Sequence, residues 1–144
     1  MDEFSETPKD TIIPSLETLG GRVVDVDEAA GRCRLEFNPT PSMCNPYGYV
    51  QGGFVAAMLD DACGVTAFLC AGRRRFTTGH MNVDFLAGVR PGHMLTAEAE
   101  LVRNGARQCV VDARLMRDGT LLARGTCHQI YMDTRRITGD GKDE

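Results

Sequence analysis

NPYGYVQGGFVAAMLDD, residues 45–61, passes from a loop broken by proline and glycine into the longest apolar run of the chain. Beyond Gly52 and Gly53 almost every position through Ala71 is apolar or small, so residues 54–71 are expected to form a helix buried on nearly all sides. Asp60 and Asp61 interrupt it. A segment of about 18 residues with two charges in its middle reads as a core helix and not as a membrane span. Gly72 is a natural stop, and Arg73, Arg74 and Arg75 put positive charge where a helix C-terminus favours it.

Two features of this stretch carry chemistry. The first N–H groups of a helix have no internal acceptor and sit at the positive end of its dipole. Glycine lets a ligand approach that backbone closely. Gly52 and Gly53 therefore mark a candidate cradle for a carbonyl oxygen that gains negative charge. The plain alternative is a glycine turn required only by packing. The second feature is the acid pair. A buried carboxylate is costly unless paired or hydrogen-bonded, so Asp60 and Asp61 are either functional or a structural pair, one on an arginine and one reaching water. They stand about 100° apart around the axis and need not share a role. Eight residues separate Gly52 from Asp60, about 12 Å along a helix, too far for one carbonyl carbon to touch both. Two chains solve that problem, and a helix apolar all round needs more cover than one sheet gives. An obligate dimer with two shared sites is the expectation.

Working outward, residues 11–19 read as a short helix with Pro14 near its start and Gly20–Gly21 after its end. Residues 22–27 and 32–37 read as a hairpin; in the second, Cys33, Leu35 and Phe37 alternate with Arg32, Arg34 and Glu36. After the helix come four strands, at 76–86, 94–103, 107–117 and 120–132. Asn104–Gly105 and Asp118–Gly119 are expected as hairpin turns. One buried helix against a mostly antiparallel sheet is an α+β layer pair. Residues 1–10 and 133–144 are polar and aperiodic, leaving a single domain with an ordered core at about 11–132.

Composition narrows the classes. The chain has 144 residues, 42% of them hydrophobic, enough for one real core. A net charge of −4 argues against a nucleic-acid binder. Six cysteines occur without a C-x-x-C pair or an apolar leader, which reads as reduced thiols in a cytoplasmic protein. His80, His93 and His128 show no zinc-ligand spacing, so no metal is expected. Cys127 and His128 would face opposite sides of a strand, which argues against a nucleophile–base pair.

The segment N-P-Y-G-Y-V-Q-G-G with Asp60 beyond it resembles the hotdog-fold acyl-CoA thioesterases of the phenylacetate-degradation (PaaI-like) type, and TTGHMNVDFLAGVRP at 77–91 is similar to the family's strand after the helix. The resemblance spans about residues 15–132. It implies an antiparallel sheet wrapped around one central helix, and hydrolysis of an aryl- or short/medium-chain acyl-CoA by a dimer or dimer of dimers, with no cofactor beyond the coenzyme A of the substrate. It assigns Gly52 to the N–H that polarises the thioester carbonyl, and Asp60 to the general base or nucleophile. Asn45 would orient thioester and water, and Thr78 would assist the water. Asp61 is expected to be structural. Gln51 stands where the family carries His and can donate a hydrogen bond but not titrate. That departure keeps a non-catalytic acyl-CoA sensor or carrier as the alternative. Gln51, Gly53, Arg73 and Arg90 are the substrate-binding candidates, the arginines for the CoA phosphates. Met58, Met81 and Phe85 are candidates for an acyl tunnel, or for core.

Overall fold

A computed structural model describes residues 13–132. The polar stretches at 1–10 and 133–144, and the first two residues of the expected first helix, lie outside the described residues. Helix α1 (Pro14–Thr18) begins on its proline, where a missing N–H costs nothing. Strands β1 (Gly21–Asp27) and β2 (Arg32–Phe37) form the first hairpin. A loop containing a short 3₁₀ turn, Pro41–Met43, leads to helix α2 (Gly52–Cys70). Strands β3 (Phe76–Phe85), β4 (Leu95–Asn104), β5 (Gln108–Arg117) and β6 (Thr120–Tyr131) follow.

The strands make one six-stranded sheet in the order β1-β2-β4-β5-β6-β3, every pairing antiparallel. Helix α2 connects β2 near one edge to β3 at the other and packs against all six strands. The alternation read from the sequence supplies that contact face: Cys33, Leu35 and Phe37, then Leu95, Ala97 and Ala99, then Cys109, Val111, Ala113 and Leu115 are all buried. This is the hotdog fold, one long helix against an antiparallel sheet.

Three details differ from the sequence reading. Helix α2 includes the glycine pair as its first two residues. It is covered on its sheet side, but Gly53, Phe54, Ala57, Asp60, Asp61 and Gly64 keep partial or full exposure along a stripe turned away from the sheet. Finally, Asn104–Gly105 is not a two-residue turn. Asn104 stays in β4, where its side chain accepts the Tyr131 hydroxyl, and the chain closes later through Gly105 N–H to the Gln108 carbonyl at 2.8 Å. Asp118–Gly119 does turn in two residues, both at positive φ (48° and 81°), between the paired Arg117 and Thr120.

One irregularity positions the chemistry. Along β3, Met81 and Val83 are half-buried while His80, Asn82 and Asp84 are exposed. Continuing that alternation backwards would turn Thr78 and Phe76 outward. Instead Thr78 pairs with Gln129 while His80 pairs with His128, so Gly79 is an extra residue, a β-bulge. The bulge changes the phase of the strand, and Phe76 and Thr78 face the helix. A Cβ on Gly79 would lie 2.5 Å from Ile130 Cγ1, so the extra residue must be small.

Candidate active site

Asp60 lies in the middle of α2, on the edge of the stripe left open by the sheet, and is half-buried. The Thr78 hydroxyl stands 2.9 Å from its Oδ1, and the Cys127 thiol reaches the same oxygen at 3.8 Å. The bulge at Gly79 makes the first of these contacts possible. The same hydroxyl stands 2.8 Å from Oε1 of Gln129, which is fully buried. Sequence reasoning passed over Gln129. The signal was available, because it is in phase with Ala123, Cys127 and Tyr131 on the inward face of β6, an amide in an apolar row.

Two cavities meet at Asp60. One of about 230 Å³ is walled by Ile13, Gly64, Val65, Phe68 and Phe76, with Asp60, Asp61 and Thr78 also on its lining. The other, a wider groove of about 740 Å³, runs along the open stripe of α2 from Gln51 and Gly53 past Ala57 to Asp60 and Asp61. The acid therefore lies on the lining shared by a small, mainly apolar hollow and a wider groove. Of the acyl-tunnel candidates, Met58 is fully buried core and Phe85 is exposed, and neither lines these cavities.

At the start of α2, the Gln51 carbonyl accepts from the N–H groups of Phe54 and Val55, at 3.0 and 3.2 Å. The N–H groups of Gly52 and Gly53 precede these bonds and have no acceptor among the described residues. The Gln51 side chain makes no capping bond and is exposed. A Cβ on Gly53 would meet nothing within 4 Å, so the approach to this helix end is open. The Phe85 ring lies against Gly52, 3.3 Å from where a Cβ would stand.

Asn45 shapes the loop that delivers this end. Its Oδ1 accepts from the N–H groups of Tyr47 and Tyr49 at 2.9 and 3.2 Å, and its own N–H donates to the Tyr49 carbonyl at 2.7 Å. It does not line either cavity that Asp60 reaches in its own chain. Arg90 is near the same loop, donating to the Tyr49 hydroxyl at 3.0 Å with its guanidinium 4.4 Å from the ring centroid. Arg73 is elsewhere: it follows the far end of α2, where it binds Glu28 at 3.1 Å and the Leu69 carbonyl at 3.3 Å. Within one chain the fold thus gathers Asp60, Thr78 and Gln129 at one place, and Gly52, Gly53, Gln51, Asn45 and Arg90 at or near the N-terminus of α2.

Asp61 has a different environment. It accepts the Ser15 hydroxyl on Oδ1 at 3.0 Å, while its Oδ2 is buried without a partner among the described residues. Burial raises its pKa above the ordinary carboxylate range; the Ser15 bond opposes that shift and the neighbouring Asp60 charge adds to it. A raised folded-state pKa means that ionising the group costs stability as pH climbs from the unfolded carboxylate range through the folded value. Asp61→Asn is therefore expected to melt above wild type at pH 7, with the gap closing below about pH 4. Turnover should be retained. Thermal melts at the two pH values, beside a rate measurement, check both parts.

All six cysteines are free. Cys63 is held well above the usual thiol range by its side-chain hydrogen bond with Cys127 and by burial, which leaves it without thiolate character.

Residues 47–123 match the model of the thioesterase superfamily. No curated protein matches the chain. Among solved structures, the phenylacetic acid degradation-related protein of Ralstonia eutropha JMP134 is 32% identical, with 90% of this chain and 99% of that one covered at a TM-score of 0.82. The Escherichia coli PaaI protein of the phenylacetic acid degradation operon shares the fold at 21% identity, with 81% and 86% coverage and a TM-score of 0.72. A hypothetical thioesterase of Streptococcus pneumoniae TIGR4, solved with coenzyme A, does so at 19% identity, with 77% and 87% coverage and a TM-score of 0.71. The matched segment holds both the start of α2 and Asp60, and the sheet order and single long helix are those of the hotdog fold, so the chain belongs to the thioesterase superfamily as a PaaI-like hotdog thioesterase.

Proposed function

We propose that this thioester hydrolase acts on acyl-CoA, releasing coenzyme A and a free aryl or short- to medium-chain acid in the cytoplasm. The observation that carries the reading is Asp60 with Thr78 on its carboxylate, on the lining that the apolar hollow and the groove share. The acyl group enters the hollow, whose volume of about 230 Å³ suits an aryl ring or a modest chain. Coenzyme A follows the groove. Arg90, exposed beside the loop that feeds α2, is placed to meet its phosphates, whereas Arg73 is committed to Glu28 at the other end of the helix.

In this mechanism Asp60 takes a proton from water as the water oxygen bonds to the thioester carbonyl carbon. The Gly52 N–H donates to the oxygen that becomes negative. Collapse of the tetrahedral species breaks the carbon–sulfur bond, and the proton held by Asp60 passes to the leaving thiolate. One chain cannot supply both ends, because Gly52 and Asp60 are about 12 Å apart along one helix. The complete site pairs Asp60 and Thr78 of one chain with the helix start of a second. Two features support that pairing. Strand β3 is a ten-residue sheet edge whose outer side has no paired strand among the described residues, and apolar Phe85 and Leu86 are exposed at its end. Two such dimers joining into a tetramer is part of the same proposal.

The test is thiol release from a panel of aryl- and alkyl-CoA esters. Turnover should be highest for arylacetyl and short- to medium-chain esters and should fall for a palmitoyl ester, which outgrows the hollow. Tight binding of these esters with no thiol released from any of them would defeat the reading.

A further inference from the structure

The Thr78 hydroxyl carries one hydrogen and lies within bonding distance of two oxygens, Asp60 Oδ1 at 2.9 Å and Gln129 Oε1 at 2.8 Å. It can donate to only one of them. Gln129 is fully buried, and its Nε2 has no hydrogen-bond partner among the described residues. A half-turn of the amide ends the competition for that hydrogen and gives Nε2 a partner, with Oε1 taking the position that has none. Nε2 then donates to Thr78 Oγ1, and the hydroxyl is free to donate to an ionised Asp60. The other orientation is consistent in one state only, with a proton on Asp60. The carboxyl then donates to Thr78, and Thr78 donates to Gln129 Oε1.

We propose that Gln129 is a positioning residue for Asp60, acting through Thr78. It presents its N–H to the hydroxyl while Asp60 is ionised, and its carbonyl oxygen while Asp60 holds the proton taken from water. The inference rests on the reading of Asp60 as general base. No atom is gained or lost: the proton moves from water to Asp60 and later to sulfur, and each move reverses the two hydrogen bonds behind it. Glutamine suits the place because its donor and acceptor have the same reach. An ionised glutamate would only accept and would draw the hydroxyl hydrogen away from Asp60. Burial adds weight, since hydrogen bonds in a dry interior are strong and linked ones reinforce each other.

Gln129→Met keeps the volume and removes both ends of the amide. It is expected to lower kcat about tenfold while KM stays within about twofold. Made in a Thr78→Val background it should add no further loss, because the path to Asp60 runs through the hydroxyl. Made in Thr78→Ser, which restores a hydroxyl, it should again cost the full factor. If Gln129→Met does not fold, Gln129→Asn, an amide too short to reach Thr78, carries the same expectation. Two results would overturn the role of Gln129 alone: an inactive Asp60→Asn beside a Gln129 variant at wild-type kcat, or an undiminished loss in Thr78→Val. An Asp60→Asn protein that works at the wild-type rate would remove the general-base reading and this inference together.

Discussion

Asp60→Asn should lower turnover of the best CoA ester by about 10²–10⁴-fold, the usual contribution of a positioned general base. The substitution keeps the shape of the side chain and its ability to accept the Thr78 hydroxyl, now 2.9 Å from Oδ1. It deletes the negative charge and the capacity to take a proton. The melting temperature should therefore stay near that of wild type, and KM should move little. Asp61→Asn is the matched control: it lies one residue away and is partly buried on the same helix, but it is tied to Ser15 and not to the inward face of β3. A large loss in both variants would assign the effect to charge in the groove and not to a base. A loss in Asp60→Asn alone identifies the base.

The second large effect is a recovery. Gly53→Val fills the open approach to the helix start, and its side chain should be tolerated within the protomer because nothing lies within 4 Å of a Cβ there. Alone it should be inactive, as should Asp60→Asn. Unfolded and refolded together in equal amounts, the two should regain about a quarter of wild-type activity, since half the dimers are hybrids and each hybrid has one of its two sites whole. A site contained within one chain predicts no recovery at any ratio. The outcome therefore decides whether the two halves of the chemistry belong to different subunits, independently of which acyl group is used.

Much of the fold was legible because the sheet follows a simple period. Strand β2 has the expected limits, and the inward rows of β4 and β5 are the ones that strict alternation names. What could not be read arises where a local rule meets a specific contact. Asn104–Gly105 has the composition of a two-residue turn, but Asn104 is held in the ladder by the Tyr131 hydroxyl, a partner 27 residues away. The inward aim of Thr78 depends on one extra residue in β3, and an isolated strand glycine hints at such an irregularity without saying which side it favours. Gln129 required only the period of β6 and the question of what a buried amide bonds to. Asp60 and Asp61 stand out in the sequence as acids of an apolar helix, but the neighbours of Asp60 come from β3 and β6, and sequence spacing carries no measure of those distances.

The Gly79 bulge also ties together two properties that would otherwise vary separately. Phe76 walls the apolar hollow and Thr78 touches the acid, and both reach inward by the same one-residue offset. Losing that residue would rotate the whole leading half of the strand, stripping the carboxylate of its hydroxyl and opening the hollow in a single step. On the proposed reading, chain selectivity and reactivity are thus mechanically linked, and adjusting one without the other calls for side-chain replacement, never for a change in length.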